Sequence, residues 1–155
     1  MSALKQSSIS PLEAHVGYWL RFVSNHVSHA FSRKVEACGV TVAEWVLLRE
    51  LFECDGMAPS ELAQRLGMTR GAISKLIDRL VGKALVAKTA GERDRRYQSV
   101  ALTKEGRKLV PELAALADRN DEEFFNGLSA VERETLMRLM KKIVRTHGFK
   151  EIPTD

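Results

Sequence analysis

The residues whose types and spacing suggest chemistry lie in one short segment that combines hydrogen-bond donors with cations. If residues 69–83 form a helix, apolar side chains fall on one face, and the opposite face carries Arg70, Gly71, Ser74, Lys75 and Asp78. Arginine can bond the O6 and N7 atoms of guanine together, and lysine suits phosphate oxygens. We therefore predict contacts with a nucleic-acid duplex, made by Thr69, Arg70, Gly71, Ser74, Lys75 and Arg79.

The spacing of residues before this segment favours a helix-turn-helix. Ala63 is followed by Gly67 four residues later and by Ile73 six residues after that. Two helices that cross steeply through a turn of about three or four residues need a small side chain where they touch, which Ala63 provides. Gly67 gives the turn an unhindered backbone. A recognition helix in the major groove has such a division into buried and polar faces, and an ordinary helical hairpin is the alternative.

A charged loop between two short segments rich in β-forming residues predicts a β-hairpin. The segments are 85–90 and 97–102. Arginines on such a ribbon can follow the phosphate backbone or enter a narrow minor groove, and Asp94 could hold the guanidinium of Arg96 in place. The loop residues that we expect at DNA are Arg93, Asp94, Arg95 and Arg96; a solvated loop is the alternative.

Positive charge is concentrated in the same part of the chain. Between Arg65 and Lys108 there are twelve Lys and Arg residues against four acidic ones, a net charge of +8. The whole chain carries +4, so the remainder is −4. A basic block in an otherwise acidic protein favours a polyanionic partner, although a solvated basic face would have the same composition.

The rest of the sequence predicts helices around this unit. Apolar residues at helical spacing predict a long helix over 12–37, and a capping box at Thr41 and Glu44 begins a second helix that runs to about Cys54. Further helices are expected from Pro59, from Thr69 to about Lys83, from Thr103 with a bend at Pro111, and from a capping box at Ser129 and Glu132. The predicted fold class is mainly α with a small β-hairpin.

Length and composition narrow the class of protein. With 155 residues, 45% hydrophobic and 28% charged, the chain suits a single domain with one core. It has no run of about 18 apolar residues for a membrane span and no signal-peptide core, so we expect a cytoplasmic protein. No Ser/His/Asp set, metal-ligand cluster or phosphate-binding Gly-rich loop is evident, so we predict no enzyme, no cofactor and no metal.

On these motifs the chain resembles the MarR family of winged helix-turn-helix transcription regulators over residues 12–147. The matching stretches are TVAEWVLL at 41–48, SELAQRLG at 60–67, the helix from Thr69, and ERDRR at 92–96 leading into LTKEG at 102–106. The Asp-x-Arg pair of the family's wing falls on Asp94 and Arg96, and the following Thr-x-x-Gly falls on Thr103 and Gly106.

The resemblance implies a homodimer that binds a near-palindromic site on double-stranded DNA and usually represses genes. It implies dimerisation helices at 12–37 and 107–147 around a DNA-binding lobe at 41–102, within a single domain over 1–155. The apolar stripes on the terminal helices also exceed what one small lobe can cover, which favours a dimer independently.

Family members commonly release DNA when a small molecule, often anionic and aromatic, or an oxidant is sensed. A pocket for such an effector would be lined here by Trp19, Phe22, His26 and Trp45, although each could instead belong to the core. Cys38 and Cys54 do not stand near the start of the first helix, where the family's peroxide sensors carry a reactive cysteine, and are better interpreted as small core residues or idle thiols.

Three weaker interpretations stay open. His15, His26 and His29 share a helical stripe that could bind zinc, but no acidic or cysteine ligand follows nearby. The basic face could bind protein or RNA rather than duplex DNA. An enzyme is the third alternative, which would need a catalytic or metal-binding set that is not evident in the sequence.

Overall fold

The computed structural model describes residues 9–90 and 98–150, which form six α-helices and one β-hairpin. After a 3₁₀ turn at Leu12–Ala14 come α1 (Val16–Glu36), α2 (Val42–Leu51), α3 (Pro59–Leu66), α4 (Arg70–Gly82), β1 (Val86–Ala90), β2 (Gln98–Leu102), α5 (Lys104–Phe125) and α6 (Ala130–His147). The mainly helical fold with a small β-hairpin is confirmed, in the predicted order.

The predicted capping boxes set two helix starts. Thr41 accepts a hydrogen bond from the Glu44 amide at 3.2 Å, while the Glu44 carboxylate accepts from the Thr41 amide at 3.3 Å. Ser129 and Glu132 make the same reciprocal pair at 3.1 and 2.9 Å. Each box satisfies amide groups that the first turn of a helix leaves without intrahelical acceptors.

Two predicted boundaries were wrong. The first long helix is not continuous from residue 12, because His15 adopts an extended backbone and separates the 3₁₀ turn from α1. The second helix ends at Leu51 rather than near Cys54. There the Phe52 amide donates to the Arg49 carbonyl, a tighter i to i−3 bond that stops the α-helical pattern.

The core lies where α2 crosses beneath α3, α4 and the hairpin. Leu47, Leu48 and Leu51 of α2 are fully buried, and they pack with further apolar residues of α3, α4, β2 and α5. The fully or almost fully buried members from those elements are Leu62, Ile73, Ile77, Leu80, Val100, Val110 and Leu113. Burying one such side chain contributes about 1.5–3 kcal/mol, so this cluster fixes the orientation of α4.

The hairpin is antiparallel, with Val86 opposite Leu102 and Ala90 opposite Gln98. The loop before α3 also joins it, since Met57 and Val100 exchange two backbone hydrogen bonds of 2.9 and 2.8 Å. The strands are therefore anchored to the start of the helix-turn-helix, and residues 91–97 that connect them lie outside the described part of the chain.

The terminal helices leave apolar surface uncovered. Helix α6 has no buried residue, and Leu139, Met140, Ile143 and Val144 are each more than 40% exposed. The first half of α1 behaves similarly, with Val16 80% exposed. In the described residues no helix combines the length and apolar character that a membrane crossing requires.

Candidate nucleic-acid interface

The turn between α3 and α4 has the geometry that the residue spacing predicted. Ala63 is buried in α3, and Gly67 ends that helix with φ +61° in the left-handed region that glycine adopts without steric cost. The Met68 amide then donates to the Ala63 carbonyl at 3.0 Å. Thr69 begins α4 by accepting a hydrogen bond from the Ala72 amide at 3.1 Å.

Helix α4 divides into a buried face and an exposed face. Ile73, Leu76, Ile77 and Leu80 are buried in the core described above. The predicted DNA-contacting residues, Thr69, Arg70, Gly71, Ser74, Lys75 and Arg79, are all exposed. All six are thus accessible to solvent, on a helix whose buried face is packed in the core; their contact with DNA stays a prediction.

The cations of the basic segment differ in how they are paired. Arg65 lies 3.1 Å from Glu50 and 3.3 Å from Glu61, and the hydrogen bond to Glu50 together with the charge of Glu61 raises the pKa of its guanidinium. By contrast, within the described residues no carboxylate lies within 4.0 Å of the charged groups of Arg70, Lys75 or Arg79. Arg70, Lys75 and Arg79 on α4 are therefore available to an external anion, unlike Arg65.

An ion pair joins α4 to the hairpin. The Lys88 ammonium of β1 lies 2.7 Å from the Asp78 carboxylate of α4, and both side chains are partly exposed. The pair neutralises the one acidic residue on the exposed side of α4. The wing residues Arg93, Asp94, Arg95 and Arg96 lie outside the described residues, so their predicted placement stays a prediction.

The chain that follows the C-terminal end of α4 makes backbone contacts that the sequence did not predict. Ala84 has φ +59°, and the Leu85 amide donates to the Leu80 carbonyl at 3.0 Å. Gly106 packs directly against the Leu85 carbonyl, where a Cβ would have no room. The Thr-x-x-Gly pattern at 103–106 could have signalled a close backbone approach, but not its partner.

A second missed contact lies nearby. The buried carboxylate of Glu44 on α2 accepts from the ammonium of Lys83, which directly follows α4. No local pattern links two residues so far apart in sequence, so the pairing could not be predicted. Arg107 similarly donates to the carbonyls of Phe52 and Cys54 at 3.4 and 3.0 Å, which ties α5 to the end of α2.

The proposed effector-pocket residues fall into two groups. Trp19, Phe22 and His26 are neighbours on the exposed side of α1, with ring centroids 6.3 Å apart for Trp19–Phe22 and 5.0 Å for Phe22–His26. Trp45 instead packs against Phe31, at 6.5 Å. Phe31 lies twelve residues beyond Trp19, which is about 18 Å along the helix axis. Within one chain, Trp45 therefore lies far from Trp19, and a pocket shared by all four residues stays a prediction.

The two cysteines are free thiols that form no disulfide. Cys38 is exposed in the turn after α1, and Cys54 is half-buried with its thiol 3.5 Å from the Leu51 carbonyl. Across residues 9–90 and 98–150, no three His, Cys, Asp or Glu side chains are grouped so that they could hold a metal ion.

Comparisons with known proteins find similarity to transcriptional regulators. The family model described as MarR family matches residues 39–96. The curated transcriptional regulator HosA from Escherichia coli is 28% identical over 107 residues, which cover 69% of this chain and 79% of HosA.

Solved structures extend the similarity to most of the chain. A mutant MarR from E. coli complexed with operator DNA aligns with a TM-score of 0.75 at 25% identity, covering 83% of this chain and 93% of that protein. CouR from Rhodococcus jostii, bound to p-coumaroyl-CoA, aligns with a TM-score of 0.75 at 25% identity, covering 94% and 99%.

Proposed function

We propose that this chain, which is similar to MarR-family regulators over residues 39–96 and to HosA, is a transcriptional regulator of that family. It binds a pseudo-palindromic operator as a homodimer and represses transcription until an effector releases it. The observation that carries the proposal is the exposed face of α4. Arg70, Lys75 and Arg79 lie there without a described carboxylate partner, while the opposite face is locked into the core. Such a helix presents its donors to the major groove without rearrangement.

The residues of that face would make different kinds of contact with DNA. Arg70, in the first turn of α4, is suited to a bidentate bond with guanine, and Gly71 allows close approach of the backbone. Ser74 can donate to a base or a phosphate, whereas Lys75 and Arg79 suit phosphates. We further propose that Arg93, Asp94, Arg95 and Arg96 reach the minor groove, since the strands on both sides of them, β1 and β2, pair as a two-stranded ribbon.

The homodimer is supported by the apolar surface of the terminal helices. Monomeric proteins rarely leave several neighbouring large apolar side chains open to water, as α1 and α6 do here. A second copy would cover them through a two-fold interface. The same axis would repeat α4 at a spacing of about one helical turn of DNA, roughly 34–36 Å.

The effector is proposed to be a small aromatic or anionic molecule. The relative CouR was solved with p-coumaroyl-CoA, and α1 of this chain carries a run of partly exposed rings at Trp19, Phe22 and His26. Trp45 would join the same pocket if α1 of a partner copy approached it. The proposal assigns no catalytic step to the chain, and a role on chromosomal DNA places it in the cytoplasm.

Selection from a pool of random duplexes tests the proposal. We expect enriched sequences with two inverted half-sites, bound by a dimer. If the dimer contacts about eight phosphates, a plot of log K against log salt has a slope of about −7. A selection without inverted repeats, or displacement by single-stranded RNA as effectively as by duplex, would overturn the proposal and favour RNA binding instead.

A further inference from the structure

The side chain of Lys83 connects the end of α4 to the junction between α1 and α2. Lys83 caps the C-terminus of α4, and its Nζ donates to the two carboxylate oxygens of Glu44 at 3.0 and 2.8 Å. It also donates to the carbonyl oxygen of Gly39 at 2.8 Å. An ammonium group has three N–H donors, so these contacts use all of them.

The groups that accept these hydrogen bonds from Lys83 are held in fixed positions. Glu44 is 1% exposed and belongs to the capping box that begins α2, where one of its oxygens also accepts from the Thr41 amide. A buried carboxylate that loses its partner is strongly destabilised, so Lys83 is held to it. Gly39, with φ +83°, turns the chain between α1 and α2 and presents its carbonyl to the same ammonium.

The contacts of Lys83 lie at the C-terminal end of α4, and the helix is long. A small change in its angle at that end therefore moves its N-terminal end by more than a hydrogen bond can absorb. Its 13 residues span about 20 Å, with Lys83 after one end and Arg70 at the other. A tilt of about 3° around the C-terminal end would move the other end by about 1 Å over that length. A shift of that size is enough to lengthen a bond between Arg70 and a base edge beyond its useful range.

We propose that Lys83 and Glu44 are positioning residues for operator recognition, which set the angle of α4 without touching DNA. This inference rests on the proposed function. Because the donors of Lys83 are occupied within the chain, it should make no phosphate contact, unlike Lys75. Loss of either partner should then weaken operator binding while the number of phosphate contacts stays the same.

The test compares Lys83→Met, Glu44→Gln and the double variant with the wild-type protein. Lys108→Met is the control, since it removes a charge from the same basic segment but breaks only an exposed pair within α5. Kd is measured for the selected operator and for a random duplex of equal length, over a range of salt concentrations and well below each variant's unfolding temperature.

We expect both single variants to weaken operator binding about 3- to 30-fold, with an unchanged salt slope. The double variant should be no weaker than the more affected single one, because the two residues act as one unit. Lys83→Arg, which keeps a cationic donor, should retain most of the affinity. Lys108→Met should leave the preference for operator over random duplex at the wild-type level.

Two results would overturn the inference while leaving the proposed function intact. One is an operator Kd within about twofold of wild type for folded Glu44→Gln and Lys83→Met proteins. The other is a salt slope reduced by about one in Lys83→Met alone, which would identify Lys83 as a phosphate contact. If Lys83→Met does not fold, Lys83→Gln serves the same comparison. A wild-type protein that binds no duplex would instead contradict the proposed function itself.

Discussion

The hydroxyl of Thr103 donates a hydrogen bond to the carbonyl oxygen of Ala84 at 2.7 Å. Thr103 is the N-cap of α5 and also accepts from the Gly106 amide at 3.1 Å, while Ala84 lies just after α4. The start of the helix that leads away from the hairpin is therefore bonded to the end of the helix proposed to read DNA.

Ala84→Gly should stabilise the protein, although glycine usually destabilises. The φ of +59° at Ala84 is costly for a residue with a Cβ and free for glycine. We expect an increase of about 0.5–1 kcal/mol in the free energy of unfolding, measured by urea denaturation at fixed protein concentration. Ala87→Gly, in strand β1, is the control and should destabilise. A loss of stability in Ala84→Gly would contradict the left-handed conformation.

Gly106→Ala should destabilise the protein, because the added Cβ would overlap the backbone carbonyl of Leu85. Backbone yields less readily than a side chain, so we expect a loss of about 1–3 kcal/mol in the same measurement. Gly82→Ala adds the same methyl group where nothing lies within 4 Å, and it should be neutral or slightly stabilising. Equal effects of the two substitutions would show that the contact with Leu85 is not tight.

Arg70→Ala should relax the base preference of the protein. If Arg70 bonds guanine, its loss costs about 1–3 kcal/mol on the selected operator and little on a site that lacks this base. Lys75→Ala should weaken all duplexes alike and reduce the salt slope by about one. Quantitative competition between operator variants distinguishes the two. An equal effect of Arg70→Ala on every sequence would assign Arg70 to the phosphates instead.

Ile143→Asp should separate the proposed dimer. Ile143 is 47% exposed in one chain and lies on the apolar side of α6, so a partner would bury the new carboxylate without a counter-charge. Association should weaken about 100-fold or more, seen as a monomer by light scattering, with loss of operator binding. Ala87→Asp, in an exposed position of β1, should remain dimeric. A dimeric Ile143→Asp protein would place the interface elsewhere.

The capping box of α6 gives a pH-dependent contribution to stability. The pKa of Glu132 lies below the ordinary value of 4.5 because its carboxylate accepts from the Ser129 backbone amide and also interacts with the Ser129 hydroxyl. A lowered pKa in the folded state stabilises the protein above the unfolded pKa, and this stabilisation is lost as pH falls through the folded value.

The Glu132→Gln protein should therefore have a lower unfolding temperature than wild type at pH 7. The difference between the two unfolding temperatures should shrink as pH falls below about 4. Measurements at one protein concentration avoid a contribution from dissociation. Glu134→Gln, which removes a carboxylate from the same helix and leaves the capping box intact, is the control. A constant difference between Glu132→Gln and wild type at every pH would contradict the argument.

Features that depend on neighbouring residues were predictable from the sequence. The capping boxes at Thr41 and Ser129, the cap at Thr69 and the turn at Gly67 all follow from local hydrogen bonds and allowed backbone angles. The two faces of α4 were equally accessible, because apolar residues at helical spacing must turn towards a core.

Features that depend on distant residues were not predictable. The pairing of Met57 with Val100, the contact of Trp45 with Phe31, and the ion pair of Glu44 with Lys83 join residues whose encounter is decided by the packing of whole helices. The contact of Trp45 with Phe31 could not be foreseen for that reason, and the place of Trp45 in an effector pocket stays a prediction. Aromatic residues on different helices give no local sign of which neighbours they meet.

The uncovered apolar side of α6 has a consequence for how such a regulator would respond to its own abundance. If only the paired form holds two copies of α4 at the correct spacing, its amount rises with the square of chain concentration while single chains predominate. Occupancy of a promoter would then change more steeply than protein synthesis does. Weakening the contacts around Ile143 would move that threshold without altering any residue that meets DNA.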